Sequence, residues 1–314
     1  MRKFGLMLLA ATAAFPALVH AKAASAQPEV IQVPGFADFL AVDGKTVWAT
    51  NKGRVEQWSR KRKLAEVAMA HPCGAMAIAA GSLWVADCEE KAVKRIDVKT
   101  AKIVATIATG IASSGELNVV AGAGSVWVAS DNGAEDRGGL VARIDPATNA
   151  VAASVPVDAG TWYLTSGFGA IWAVSSTKQS LQRIDPTTNT VTASIPLGKE
   201  PGFLAAGENG VWVQEQGDGT LARIDPATNA LAGRIKVGDN LKWGDVDTGG
   251  GKVWLRTTDD QVFAVIDPAT MTVNARMGQA AGSGALRWTP KGIWTSAHDE
   301  HTLTWWPKAV LAVK

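Results

Sequence analysis

The sequence predicts an all-β fold, a seven-bladed β-propeller with four antiparallel strands per blade, and three observations carry that prediction. A Gly-containing turn, a branched residue and Trp recur at Val47-Trp48, Leu83-Trp84, Val126-Trp127, Ile171-Trp172, Val211-Trp212, Val253-Trp254 and Ile293-Trp294. The Trp spacings are 36, 43, 45, 40, 42 and 40 residues, the length of one four-stranded blade. No 3.6-residue apolar period accompanies them, which excludes a helical solenoid.

Within a unit the elements follow in a fixed order. In the fifth copy, Phe203-Leu-Ala-Ala206 reads as strand A, Val211-Trp-Val213 as B, Leu221-Ala-Arg-Ile224 as C and 231–237 as D. The runs are short, rich in branched residues, and separated by Gly, Asn, Asp or Pro, which is strand-and-turn chemistry. The recurring Trp fills the gap that widens between radiating sheets, where burying such a ring is worth a few kcal/mol. The element Arg-Ile-Asp-Pro-x-Thr-Asn at 143–149, 183–189 and 223–229 reads as the C–D turn. Its Asp accepts from backbone N–H groups two residues on, Pro fixes φ, and Asn tolerates the left-handed region. The last copy is short: Leu303–Trp306 reads as strand C and Ala309–Val313 leaves a brief strand D. Glu29–Val33 has strand-D character and is expected to close the ring, because an open ring exposes strand edges.

Composition agrees. The 314 residues hold 13 Trp but one Tyr, and 32 Gly but two Cys. Residues 1–26 join a basic start (Arg2, Lys3), an apolar core from Phe4 to Val19 and an Ala24-Ser25-Ala26 site, the marks of a secretory signal peptide. An earlier site follows Ala21. The expected organisation is therefore a signal peptide over 1–26 and one propeller domain over 27–314, periplasmic or secreted. The whole chain carries 31 basic and 29 acidic residues. Removing Arg2, Lys3 and Lys22 leaves 28 against 29, a net of −1, so no nucleic-acid partner is expected. Arg60-Lys61-Arg62-Lys63 reads as a solvated turn. No apolar run after the signal is long enough to span a membrane, and a monomer is expected.

Function is expected in the D–A and B–C loops at one end of the channel, where the repeats are least regular. The third B–C loop, Ser130–Gly139, holds Asp131, Glu135, Asp136 and Arg137; Asp131 and Arg137 are candidate ligand contacts. Aromatics at the D–A segments, Trp162, Tyr163, Phe203 and Trp243, suit an apolar small molecule and equally suit packing. Cys73 and Cys88 lie at adjoining ends of strands A and B, and an exported protein favours their disulfide. His298 and His301, an H-x-x-H pair in the last B–C loop, are weak metal candidates, with His71 from a neighbouring loop as a further contributor. Glu215, His298, Glu300 and His301 are weak catalytic candidates. No Ser-His-Asp order, P-loop or zinc signature is present.

The pattern Gly-x-Val-Trp-Val…Leu-x-Arg-Ile-Asp-Pro-x-Thr-Asn-x-Val resembles the YVTN-type and streptogramin-lyase-like (virginiamycin B lyase-like) β-propellers, over essentially residues 29–314. That resemblance implies a carbon–oxygen lyase opening a cyclic depsipeptide at its ester, with Mg²⁺ and a His/Glu constellation over the channel mouth. Such chemistry needs a base for a proton and a cation to polarise the carbonyl oxygen. In this chain the strand-A starts are Ala37, Cys73, Glu116, Thr161, Pro201, Trp243 and Ser283, none of them His. At the strand-B ends only Asp87 and Glu215 offer a carboxylate, and His298 falls one place further on. The expected function is therefore binding of a small molecule, glycan or protein at the channel mouth without catalysis. The alternative is a metal-assisted lyase or hydrolase acting on an ester or lactone, and Mg is expected only in that case.

Overall fold

Blade 5 shows how the local sequence builds the unit. Strand A is Pro201–Gly207, B Gly210–Glu215, C Thr220–Asp225 and D Ala230–Lys236, hydrogen-bonded in that order. Glu208 and Asn209, both at positive φ, form the two-residue A–B turn whose twist suits a tight hairpin. Strand B is buried along its whole length because neighbouring blades cover both of its faces. Strand D, at the rim, is mostly exposed, with Gly233 half-buried and Ile235 buried.

The computed structural model describes residues 27–111, 116–131, 138–239, 241–259, 261–308 and 310–311. In it seven four-stranded antiparallel sheets follow one another around a channel lined by the A strands. Among the described residues no helix is long and apolar enough to cross a membrane.

The seven repeated Trp are all buried, between 0% and 4% exposed, so they act as wedges. Trp212, for example, packs with Val246, Val253 and Leu255 of the following blade. In five blades the indole Nε1 donates to the last residues of strand A, at Ala79, Gly122, Gly167, Gly207 and Gly249 oxygens, 2.9–3.1 Å away.

The Asp-Pro turns have the expected internal geometry and a second use. Asp145 and Asp225 accept from the N–H two residues on, at 2.8 Å, and Asn149, Asn189 and Asn229 take positive φ. These backbone donors hold the Asp145, Asp185 and Asp225 carboxyls below the usual range, and the Lys252 ammonium leads in bringing Asp267 to about 2. Three of the turns also receive an arginine from the preceding blade. Arg95 donates to Pro146 O and Asn149 Oδ1, Arg143 to Pro186 O and Asn189 Oδ1, and Arg223 to Pro268 O. The same arginines lie over the Trp of their own blade, 4.9–5.5 Å from the ring centre. Ring and guanidinium thus form a latch across the lower end of each of these seams.

Closure uses the N-terminal segment. Glu29–Gln32 is the outer strand of blade 7, paired antiparallel with Thr302–Pro307 in the register Glu29↔Trp305 to Gln32↔Thr302. Val33 N then donates to His301 O at 2.7 Å, and the Val33 side chain is fully buried. The reading of Ala309–Val313 as a brief strand D is corrected at Val310 and Leu311, while Ala309, Ala312 and Val313 lie outside the described residues. The place is already filled by Glu29–Gln32, and Val310 and Leu311 turn away to pack beside Trp306.

Candidate functional site

At the top of the channel the segments entering strand A bring side chains from five blades to one point. Asp38 and Phe39 come from blade 1, Glu116 from the approach to blade 3, Tyr163 from blade 4, Phe203 from blade 5 and Asp245 from blade 6. Phe203 lies 4.4 Å from Tyr163 and 6.1 Å from Phe39, ring centre to ring centre, so three rings floor the mouth. Beside Phe39 is a cavity of about 280 Å³, lined by Phe36, Asp38, Phe39, Asn51, Lys52, His71, Cys73 and Glu116 among others. Below the three rings the channel holds about 300 Å³, bordered by Phe203, Asp245, Asp247 and Arg287. Trp243, at positive φ and 63% exposed, overhangs the mouth, held by its carbonyl through Ser283 Oγ at 2.9 Å.

The electrostatics of the mouth follow from burial among like charges. Asp38 has its carboxyl pushed up to about 8, first by burial and then by Glu116 and Asp245. Burial also raises the Glu116 carboxyl, with Asp245 adding to it, although the Tyr163 hydroxyl donates to Glu116 at 3.2 Å. Burial and the nearby Glu116 carboxylate push the Tyr163 phenol well above its ordinary range. Asp245 is anchored instead, accepting from Arg287 and from the backbone N–H of Val246 at 2.8 Å. Arg256 is fully buried and donates to carbonyl oxygens, among them Gly282 O at 2.8 Å and Val262 O at 3.0 Å; burial brings it down to about 10. Among the described residues neither Asp38 nor Glu116 forms an ion pair.

The sequence-derived candidates separate by position. Tyr163 and Phe203 stand in the floor of the mouth and Trp243 at its edge. Trp162 is partly buried against the blade 3 core, and its carbonyl accepts from Asn118 N. Asp131 ends strand B of blade 3 and is 7% exposed. Arg137, Glu135 and Asp136 lie outside the described residues.

The strand-B ends have a common structural job. They cap the loop that enters strand A of the same blade. Asn51 Oδ1 accepts from Phe36 N at 2.6 Å, Asp87 from Ala70 N and His71 N at 3.1 Å, and Glu215 from Gly198 N at 2.6 Å. Glu215 is fully buried and also takes two bonds from Arg234, at 2.7 and 2.9 Å, and one from Thr220. Cys73 and Cys88 form a disulfide with 6.0 Å between Cα atoms, tying two approaches to the mouth together.

The histidines stand apart from Glu215. His298 stacks on Phe36, 3.9 Å between ring centres, with Nδ1 3.1 Å from Asp299 Oδ1 in a contact that misses hydrogen-bond geometry. Burial lowers its pKa, which favours the neutral ring. His301 Nδ1 meets Gly35 O at 2.6 Å, in the closing segment. Glu300 sits in the exposed turn between them, and His71 at the rim of the mouth. Among the described residues no three His, Cys, Asp or Glu side chains are grouped to hold a metal ion.

Sequence reasoning missed Asp38, Asp245 and Arg256, and met Glu116 only as a position. Their signal is positional: each lies within a few residues of a strand-A start or a strand-B end, and none belongs to the repeated motif.

No family model matches this chain, and no curated protein matches it in sequence. Solved structures do resemble it. Virginiamycin B lyase from Staphylococcus aureus is 14% identical with a TM-score of 0.76, over 90% of this chain and 99% of that one. A streptogramin B lyase is 12% identical with a TM-score of 0.74, over 89% and 96%. Hydrazine synthase from Kuenenia stuttgartiensis is 14% identical with a TM-score of 0.70, over 94% and 99%. At such identities the likeness is one of fold, and the named proteins differ in what they do. The chain is a seven-bladed β-propeller of the virginiamycin B lyase-like fold.

Proposed function

We propose that this protein is an exported, monomeric binding propeller that takes a small molecule at its channel mouth without changing it covalently. The observation that carries this reading is the pair Asp38 and Glu116, two carboxyl groups without ion-pair partners among the described residues, lining a 280 Å³ cavity together with the Phe36 and Phe39 rings. Such a site suits an apolar body bearing an amine, since a cation draws both acids into their charged forms. The disulfide and the N-terminal Met1–Ala26 pattern support export.

Calorimetry with phenethylamine and its neutral counterpart phenethyl alcohol tests the site. The amine binds at least about tenfold more tightly, a difference of about 1.4 kcal/mol, and Glu116→Gln abolishes that preference. Equal binding of the two probes, or none, overturns the reading.

A second reading, a metal-assisted lyase, draws on His298. Its neutral ring is favoured and it stacks on Phe36 at the rim of the same cavity. Two measurements separate them. A stoichiometric divalent metal lost on His298→Ala, or ring-opening of a streptogramin B seen by mass spectrometry, sinks the binding-only reading.

A further inference from the structure

The mouth is one end of the molecule, and the seam between blades 7 and 1 has a second, different cavity at the other. About 370 Å³ of space is enclosed there by Lys45, Arg60, Lys291, Trp294, Trp305 and Pro307, with Gly44 and Thr289 completing it. Gly44, Lys45, Thr289 and Lys291 belong to A–B turns, whereas the mouth is built from segments entering strand A, so the two cavities open on opposite faces.

The seam around this cavity departs from the repeat. In blades 2 to 5 the residue paired with the wedge Trp is an arginine: Arg95, Arg143, Arg183 or Arg223. In blade 7 the residue paired with Trp294 is Trp305. The partner of the latch is missing as well. The C–D turn of blade 1 is Ser59-Arg60-Lys61-Arg62, with neither the Pro carbonyl position nor the Asn that receive the arginine elsewhere. The seam between blades 6 and 7 also lacks the arginine, but there the Trp288 ring lies against Gly249 and Gly250 and takes up the space.

Two features of the cavity point to a ligand. Trp294 lines the cavity, and its Nε1 has no hydrogen-bond acceptor among the described residues; in five blades the same atom bonds to strand A, and in blade 1 Trp48 Nε1 is unpartnered but sealed from any cavity. Trp305, 5.2 Å from it centre to centre, likewise has an unpartnered Nε1. The rim is basic: Arg60 pairs with Glu29 and lies over the Trp305 ring, while Lys45 and Lys291 have no ion-pair partner among the described residues. Glu29 is thus the one acid tied to this rim, against three cations.

We propose that the seam between blades 7 and 1 is a binding site for a small aromatic carboxylate. Its ring lies against Trp294 and Trp305, its carboxylate meets Lys45, Lys291 and Arg60, and an acceptor on it takes the Trp294 N–H. A volume near 370 Å³ fits a ligand of one or two rings.

The test uses the full mature protein and two probes, indole-3-acetate and its neutral isostere indole-3-acetamide. Binding is read by the NMR cross-peak of the Trp294 indole N–H, assigned through Trp294→Phe, and by calorimetry. The carboxylate binds at least about tenfold more tightly than the amide, shifts the Trp294 resonance, and weakens about tenfold in the Lys45→Ala/Lys291→Ala double variant. Those lysines are surface residues whose loss leaves the melting curve unchanged, so a folded control is built in. Equal affinity for the two probes, no binding up to about 10 mM, or an unmoved Trp294 resonance each overturn the proposal.

Discussion

Asp38→Asn isolates the most perturbed acid of the mouth. Burial, with Glu116 and Asp245 nearby, raises its carboxyl from 3.8 to about 8. Below pH 3.8 both folded and unfolded chains hold the proton. As pH rises, the unfolded chain releases it and the folded one does not, so stability is lost progressively until the folded carboxyl ionises near pH 8. Each pH unit in that window is worth about 1.36 kcal/mol, which gives a ceiling of about 3.5 kcal/mol between pH 5 and 8. Water reaching the cavity lowers the figure, and a loss of about 1–2 kcal/mol is the expected result. Asparagine resembles the protonated acid and does not titrate, so it leaves stability at about pH 5 nearly unchanged. Glu116 and Asp247 are raised as well, so only the difference between wild type and Asp38→Asn reports on Asp38. Urea melts of both proteins at about pH 5, 6.5 and 8 give that difference. It should grow in favour of the variant as pH rises. Parallel curves would show that Asp38 is ionised throughout, and the reasoning about the mouth would fail with it.

Three further outcomes are expected. Opening the disulfide with Cys73→Ala/Cys88→Ala removes a 15-residue closure and costs about 3 kcal/mol by chain entropy, read from denaturant midpoints; no free thiol is expected in the non-reduced protein. Deleting residues 27–33 removes the outer strand of blade 7 and the buried Val33, and should lower stability by about 3–5 kcal/mol in a thermal melt; an unchanged melt refutes closure by this segment. Arg143→Ala breaks the bonds to Pro186 O at 2.8 Å and Asn189 Oδ1 at 3.0 Å and should cost about 1–2 kcal/mol, whereas a neutral result would deny the latch any energetic role.

What was legible in the sequence is what repeats. The wedge Trp, the Asp-Pro turns and the closing strand each follow from a local rule, burial of a large ring, capping by a carboxylate, or pairing of an edge, and the structure has all three. The interblade use of Arg143 and Asn189 was not legible, since it joins residues 46 apart through a contact that no single repeat contains. The mouth was half legible. Tyr163 and Phe203 stand out as aromatics in strand A, but Asp38, Glu116 and Asp245 are ordinary acids in loops, and only the ring brings them together.

Glu215 shows why a carboxylate at the right repeat position is a poor guide to chemistry here. The end of strand B must satisfy backbone N–H groups of the loop entering strand A, and Asn51, Asp87 and Glu215 all do so. With Arg234 also bound to it, Glu215 has no lone pair left facing the channel. A propeller repeats its structural duties seven times, so a residue with a counterpart in the other blades is accounted for by the fold. Residues without counterparts are the informative ones: Asp38 with Glu116 at the mouth, and Trp305 with Arg60 at the closing seam. The closing seam lies where a blade has Trp305 in place of the arginine its neighbours use, which leaves room for something the chain does not itself supply.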